Sequence, residues 1–250
     1  GIEHLMKSII YVSVAIVSFL IFFGFAEKRH ITVWMIGDST MAIKSQNKHP
    51  ETGWGMPFAS FFKEEVVVKN HAKNGRSTKS FKNEGLWKEV YENLKAGDYV
   101  FIQFGHNDEK VDKPNVGVTL EQFEANLREY VELVKAKNAF PILLTPIARR
   151  KFDEGKLQDT HGDYGNIACA LAQKVKVPCI DMRKVSNELL SELGEESSKK
   201  LFLHLENGHV NYPEGVTDNT HLNEVGAKRI AELVARELKT QKIALSSYLK

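Results

Sequence analysis

The sequence predicts an α/β fold, a doubly wound parallel sheet with helices on both faces, and three observations predict it. From residue 31 onward, short apolar runs alternate with longer segments of helical periodicity. The runs are rich in Val, Ile and Phe and bounded by turn residues, as strands buried on both faces are. No internal repeat or low-complexity linker interrupts the alternation, so it reads as one domain, with right-handed crossovers and a site beyond the carboxyl ends of the strands.

Taken in order, Ile31–Ile36, Glu65–Lys69, Tyr99–Phe104, Pro141–Thr145 and Pro178–Met182 are the five expected strands. The expected helices are Gly55–Phe62, Leu86–Leu94, Leu120–Lys137, Tyr164–Val175, Arg183–Leu193 and a last one from Glu224 to Leu238. In Leu120–Lys137 the residues Phe123, Leu127, Tyr130, Val131 and Val134 recur at three- and four-residue steps, which gives one apolar stripe. Thr119 and Gln122 match a capping box at its start. The last helix turns Val225, Ile230, Leu233, Val234 and Leu238 inward. Trp54 lies in an apolar segment and is expected in the core.

The first residues carry a different message. Met6 and Lys7 precede an apolar run from Ile9 to Phe25, which ends in Gly24-Phe25-Ala26 before Glu27. A basic start, an apolar run and a small-x-small exit read as a secretory signal peptide. An uncleaved anchor is the alternative, because about seventeen residues is near the lower limit for a membrane span. Residues 1–26 are therefore assigned to an N-terminal extension and signal peptide, and 27–250 to the folded domain, exported to a periplasmic or secreted location with no stable membrane association after cleavage.

Among 250 residues, 34 basic side chains face 32 acidic ones, and no basic stripe interleaved with aromatics appears, so a nucleic-acid role has no support. Cys169 and Cys179 are too few for a disulfide framework or a structural zinc site. Export allows them to pair; two buried thiols are the alternative.

Chemistry gathers at the strand ends. Gly37-Asp38-Ser39-Thr40-Met41 follows the first strand, where Ser39 either projects a reactive hydroxyl or caps a helix. Asn74-Gly75-Arg76-Ser77 follows the second, where the Gly75 N–H suits an oxyanion and a plain turn is the alternative. Gly105-His106-Asn107-Asp108 follows the third. Asn107 offers a side-chain amide to an oxyanion, and His106 beside it suits an orienting, packing or substrate-side role rather than that of a base. Asp218-Asn219-Thr220-His221 precedes the last helix. Its spacing lets Asp218 accept from Nδ1–H of His221 and leaves Nε2 to take a hydroxyl proton, unless Asp218 merely caps that helix. Together these fragments supply nucleophile, base, orienter and oxyanion donors, the parts required for acyl transfer. The histidines lack a short-spaced ligand pair, so no metal is expected, and neither a Walker loop nor a G-x-S-x-G signature is present.

In this order and spacing the fragments resemble the four blocks of the SGNH hydrolase superfamily, and the match covers nearly all of the chain after residue 26. The resemblance implies a flavodoxin-like three-layer α/β/α sandwich on a five-stranded parallel sheet. It also implies Ser39 as nucleophile, His221 as base, Asp218 as its orienter, and an oxyanion hole from the N–H groups of Ser39 and Gly75 with the Asn107 amide. A narrower likeness is to rhamnogalacturonan acetylesterases, carried by the same blocks together with Thr145-Pro146-Ile147-Ala148-Arg149-Arg150 and Asp159-Thr160-His161-Gly162. It implies a cofactor-free serine esterase that removes O-acetyl groups from a pectic polysaccharide or oligosaccharide, and a monomer is expected. Arg149 and Arg150 would face galacturonate carboxylates, or else be solvated loop arginines. Trp54 and Trp87 are weaker sugar-stacking candidates. A lipid or thioester acyl hydrolase on the same scaffold and a non-catalytic carbohydrate-binding module are the rival functions.

Overall fold

The computed structural model describes residues 1–7 and 30–250. Residues 2–7 are helical, and the apolar run read as a signal peptide lies outside the described residues. No helix among the described residues is long and apolar enough to cross a membrane.

Residues 31–250 build a parallel sheet from β1 (Ile31–Gly37), β2 (Val66–Asn70), β3 (Tyr99–Gln103), β4 (Phe140–Leu144) and a two-residue strand Cys179–Ile180. In chain order these lie second, first, third, fourth, fifth across the sheet, and every neighbouring pair is parallel. Strand alternation divides the core into two layers. Val33, Met35, Phe101, Ile142 and Leu144 point to one face, and Trp34, Ile36, Val100, Ile102 and Leu143 to the other.

The first face is covered by α1 (Gly55–Phe58) and by the helices Met182–Ser198 and Glu224–Thr240, through Phe58, Met182, Leu189, Ile230 and Val234. On the second face lie α2 (Thr78–Asn83), α3 (Leu86–Asn93), α4 (Leu120–Ala136) and α5 (Tyr164–Val175), through Phe81, Trp87, Leu127, Val131 and Leu171. The expected capping box closes the start of α4, with Gln122 N–H donating to Thr119 Oγ1 and Thr119 N–H to Gln122 Oε1. Trp54 and Trp87 are both core residues, 0% and 4% exposed, and neither is presented to a ligand.

Several elements differ from expectation. The helix expected over Gly55–Phe62 is α-helical only to Phe58 and continues as a 3₁₀ turn, Ala59–Phe61. The fifth strand is short because Asp181 leaves it to cap α6 (Met182–Ser198), accepting from Lys184 N–H and from Thr145 Oγ1. Two antiparallel hairpins were not foreseen. The smaller pairs β5 (Phe152–Asp153) with β6 (Lys156–Leu157) across Glu154-Gly155, both at positive φ. With Cys179–Ile180 as β7, the larger pairs β8 (Phe202–Leu205) with β9 (Val216–Leu222), followed by α7 (Glu224–Thr240). Cys169 on α5 and Cys179 on β7 form a disulfide, which settles the open pairing.

Candidate active site

The fold turns around at β1. The chain passes from β1 to β2 on one side and then back across to β3 on the other, so a crevice opens at the carboxyl ends of β1 and β3. Gly37 ends β1 where a Cβ would stand 2.6 Å from the Gln103 carbonyl, so only glycine lets the two strand ends approach this closely. The chain then makes a tight turn, not a helix. Met41 N–H and Ala42 N–H donate to the Asp38 carbonyl, and Asp38 Oδ1 accepts from Thr40 N–H and Thr40 Oγ1. Ser39 therefore caps nothing, and its hydroxyl leaves the sheet edge.

That hydroxyl lies 2.9 Å from His221 Nε2, and His221 Nδ1 lies 2.7 Å from Asp218 Oδ2. The other Asp218 oxygen accepts from the N–H groups of Thr220 (2.8 Å) and His221 (2.9 Å). This segment belongs to β9 rather than to the start of the last helix, whose N-cap is Asn223. Its geometry comes from a bulge. Leu203 pairs with Asp218 and Phe202 with Leu222, so Asn219, Thr220 and His221 loop out of the ladder between two consecutive β8 residues. A bulge of this kind re-aims a side chain that a regular strand would direct elsewhere.

The two expected oxyanion loops meet the same crevice. Gly75 sits at φ +76°, a conformation that makes glycine the suitable residue, and its N–H has no acceptor among the described residues. Asn107 Nδ2 donates to the Arg76 carbonyl, and Asn107 Oδ1 accepts from Lys110 Nζ. Since a carbonyl only accepts and an ammonium only donates, the amide orientation is fixed, with one Nδ2–H left to offer. The site thus holds a hydroxyl, an imidazole, a carboxylate and free N–H donors on neighbouring loops, an arrangement able to take up a hydroxyl proton and an oxyanion together.

The charges divide by environment. Burial pushes the Asp218 carboxyl up, but the His221 ring and the backbone N–H groups of His221 and Thr220 outweigh it and hold Asp218 down at about 2. Burial raises Asp38 and lifts Asp108 to about 7, the latter against hydrogen bonds from Thr78 N–H and Oγ1. His106 is 4% exposed, stands edge-on to His161 with ring centroids 4.6 Å apart, and is driven well below its ordinary range by burial and by neighbouring cations. Its Nδ1 is 3.8 Å from Asp38 Oδ2. The ring therefore packs beside Asp38 with little of its surface exposed.

Neither arginine is free. Arg149 pairs with Glu109 at 2.6 Å and donates to Thr160 Oγ1, while Glu109 also meets His161 Nδ1 at 2.9 Å. Arg149 keeps a partly exposed edge, but its charge is already matched. Arg150 is only 7% exposed. It donates to Ser198 Oγ, Asn219 Oδ1 and the Glu195 carbonyl, and its own N–H donates to the Asn219 carbonyl. The expectation that Arg150 faces a substrate carboxylate is thus corrected: it grips the bulge that carries His221. Asp38, Lys44 and Glu51 also border the site without having been singled out from sequence. Asp38 stood within the Gly-Asp-Ser motif as a visible signal, whereas a lysine and a glutamate in polar loops offered none. Among the described residues, no group of three or more His, Cys, Asp and Glu is arranged to hold a metal ion.

The sequence model of the GDSL-like lipase/acylhydrolase family matches residues 35–229, a span that contains the whole crevice. Rhamnogalacturonan acetylesterase RhgT of Bacillus subtilis is 40% identical over 224 residues, 89% of this chain and 95% of that protein. The solved structure of YxiM from Bacillus subtilis superimposes with a TM-score of 0.74 at 28% identity, covering 86% of this chain and 58% of that one. Axe2, an acetylxylan esterase from Geobacillus stearothermophilus, shares the fold at a TM-score of 0.61 and 22% identity, covering 85% of this chain and 96% of that one. With the family matched over most of its length, the chain is a carboxylic ester hydrolase and belongs to the GDSL-like lipase/acylhydrolase family.

Proposed function

We propose that the protein is an exported, monomeric serine esterase that removes O-acetyl groups from a pectic polysaccharide of the rhamnogalacturonan class. The observation that carries the chemistry is the continuous relay from Ser39 Oγ through both ring nitrogens of His221 to Asp218, with contacts of 2.9 and 2.7 Å. Ser39 attacks the acetyl carbonyl while His221 Nε2 takes its proton, and Asp218 holds the ring in the tautomer that allows this. The oxyanion is received by the N–H groups of Ser39 and Gly75 and by the free Nδ2–H of Asn107. His221 then gives that proton to the departing sugar oxygen, which leaves as a hydroxyl, and next activates the water that releases acetate.

The glycan assignment rests on the similarity to RhgT over nearly the full length of both chains. Acetate release should be followed on acetylated rhamnogalacturonan, acetylated xylan and short-chain glycerides, with the wild type and Ser39→Ala. The expected outcome is preference for rhamnogalacturonan and a loss of roughly three to six orders of magnitude in Ser39→Ala. Half of the activity surviving in a folded Ser39→Ala protein sinks the serine mechanism. Preference for xylan or glycerides sinks the glycan assignment alone. For export, the mature N-terminus should fall at or close to Glu27; an intact chain recovered from washed membranes speaks for an anchor instead.

A further inference from the structure

The loop after the Ser39 turn sends a lysine back under the site. Lys44 is 8% exposed, with its side chain 2% exposed. Its Nζ donates to the Ser39 carbonyl and to Asn74 Oδ1, each at 2.5 Å, and stands 3.9 Å from Glu51 Oε1. That same carboxylate oxygen is 3.9 Å from His221 Nδ1. A buried ammonium has three protons to place and nothing to accept with, so it orders whatever surrounds it. Here it meets the peptide of Ser39, the residue before Gly75, and a carboxylate behind His221.

We infer that Lys44 is a positioning residue, whose ammonium locks the nucleophile turn to the Asn74-Gly75 oxyanion turn and holds Glu51 behind His221. The inference rests on the proposed roles of Ser39, Gly75 and His221. Pinning the Ser39 carbonyl orients both the Oγ and the N–H of the same residue. Pinning Asn74 sets the peptide that supplies the Gly75 N–H. The two donors converge on one point only if the two turns keep their spacing, and a hydrogen-bonded cation between them sets it. Burial lowers the proton affinity of Lys44, while Glu51, Asp38 and Asp218 oppose that effect and favour the ammonium. A lysine that only filled space or satisfied loop acceptors would affect stability without affecting the turnover of folded molecules.

The test is a double-mutant cycle on the purified enzyme with p-nitrophenyl acetate, using Lys44→Met, which keeps the volume and removes the charge, Asn74→Ala, and the pair. Concentrations of competent sites come from titration with a serine-directed phosphonate, and Tm is recorded in parallel. In Lys44→Met, kcat should fall about 10- to 100-fold with KM nearly unchanged, as expected of a small misplacement of reacting groups. Asn74→Ala should share part of that loss, and the pair should lie within about threefold of Lys44→Met alone, because both disrupt one element. Conversion of Lys44→Cys to its aminoethyl derivative should restore most of kcat. Wild-type kcat in folded Lys44→Met, or losses that simply multiply, overturns the inference. If Lys44→Met does not fold, Asn74→Ala decides, since Asn74 is exposed: undiminished kcat there overturns it. Ser39→Ala run alongside separates the failures. Turnover surviving Ser39→Ala removes the triad reading, whereas Ser39-dependent turnover indifferent to Lys44 removes only this inference.

Discussion

Replacing Asp218 by Asn tests the proposed relay more sharply than removing the side chain altogether. Asp218 Oδ1 already accepts two backbone N–H groups, from Thr220 and His221. An asparagine at this position keeps its own Oδ1 there, since turning the amide over sets its NH₂ against two donors and leaves both unpaired. That reversal costs about 2–3 kcal/mol on the ordinary scale of lost hydrogen bonds, so roughly one molecule in a hundred adopts it. In the preferred orientation the NH₂ faces His221 Nδ1 and forces the ring proton onto Nε2, where it blocks acceptance from Ser39. The rare orientation works with a neutral acceptor behind an imidazolium, a further loss of about 10- to 100-fold. The product is a fall in kcat of about 10³–10⁴, in line with the cost of a wrong tautomer in a serine triad.

Asp218→Ala carries no NH₂ to reverse the tautomer, and Glu51 remains 3.9 Å from Nδ1. Its kcat should therefore exceed that of Asp218→Asn by about tenfold, although more of the side chain is gone. Steady-state kinetics with p-nitrophenyl acetate between pH 5 and 9, with KM and Tm recorded for each variant, decide the matter. Because Asp218 is held at about 2, its own titration lies below this window and does not confuse the comparison. An Asp218→Asn enzyme within tenfold of wild type, or an Asp218→Ala enzyme more damaged than it, refutes the tautomer argument.

Three other outcomes are expected. Arg150→Met should lower stability by about 2–4 kcal/mol, through the lost bonds of a buried guanidinium, and should reduce kcat rather than raise KM for acidic oligosaccharides; a selective rise in KM restores Arg150 to the substrate. Asp108→Asn should flatten the pH dependence of unfolding. With its folded value raised to about 7, Asp108 contributes stability fully present below the unfolded value near 3.9 and lost as pH rises toward and through 7, so the variant should gain about 2–4 kcal/mol at pH 8 and nothing at pH 3. Equal urea-midpoint slopes between pH 4 and 8 in the two proteins contradict this. Changing Cys169 and Cys179 both to Ser should cost about 2–3 kcal/mol by opening a short loop; an unchanged Tm shows that the bridge is not stabilising.

Most of the central sheet was legible because β1, β3 and β4 are buried on both faces, and an uninterrupted apolar run such as Tyr99–Ile102 has no other comfortable home. The small antiparallel pieces were not. Lys156–Leu157 has two residues and no pattern, and Val216–Leu222 alternates weakly because one end of it is a bulge rather than a strand. Helix α6 began one residue before the expected Arg183 because Asp181 finds its partners in Thr145, 36 residues away. Local propensity cannot see a cap whose other hydrogen bonds are tertiary.

The same distinction runs through the site. Ser39, Gly75 and Asn107 were readable because each follows a strand, and strand ends are where a doubly wound sheet exposes its chain. Asp218 and His221 were readable from their spacing, although the element carrying them was misread as the approach to a helix. Their neighbours were not readable in that way. Arg149 and Arg150 are adjacent and chemically alike, yet one keeps a partly exposed edge beside Glu109 and the other lies buried on Asn219. No local pattern separates them, because a charged side chain near a strand end suits either a ligand or a neighbouring loop. What assigns Arg150 to the loop is the three-residue bulge in β9, which brings Asn219 to it and His221 to Ser39 in one distortion. A residue that supports the proposed base through the bulge therefore becomes visible only once the bulge is known.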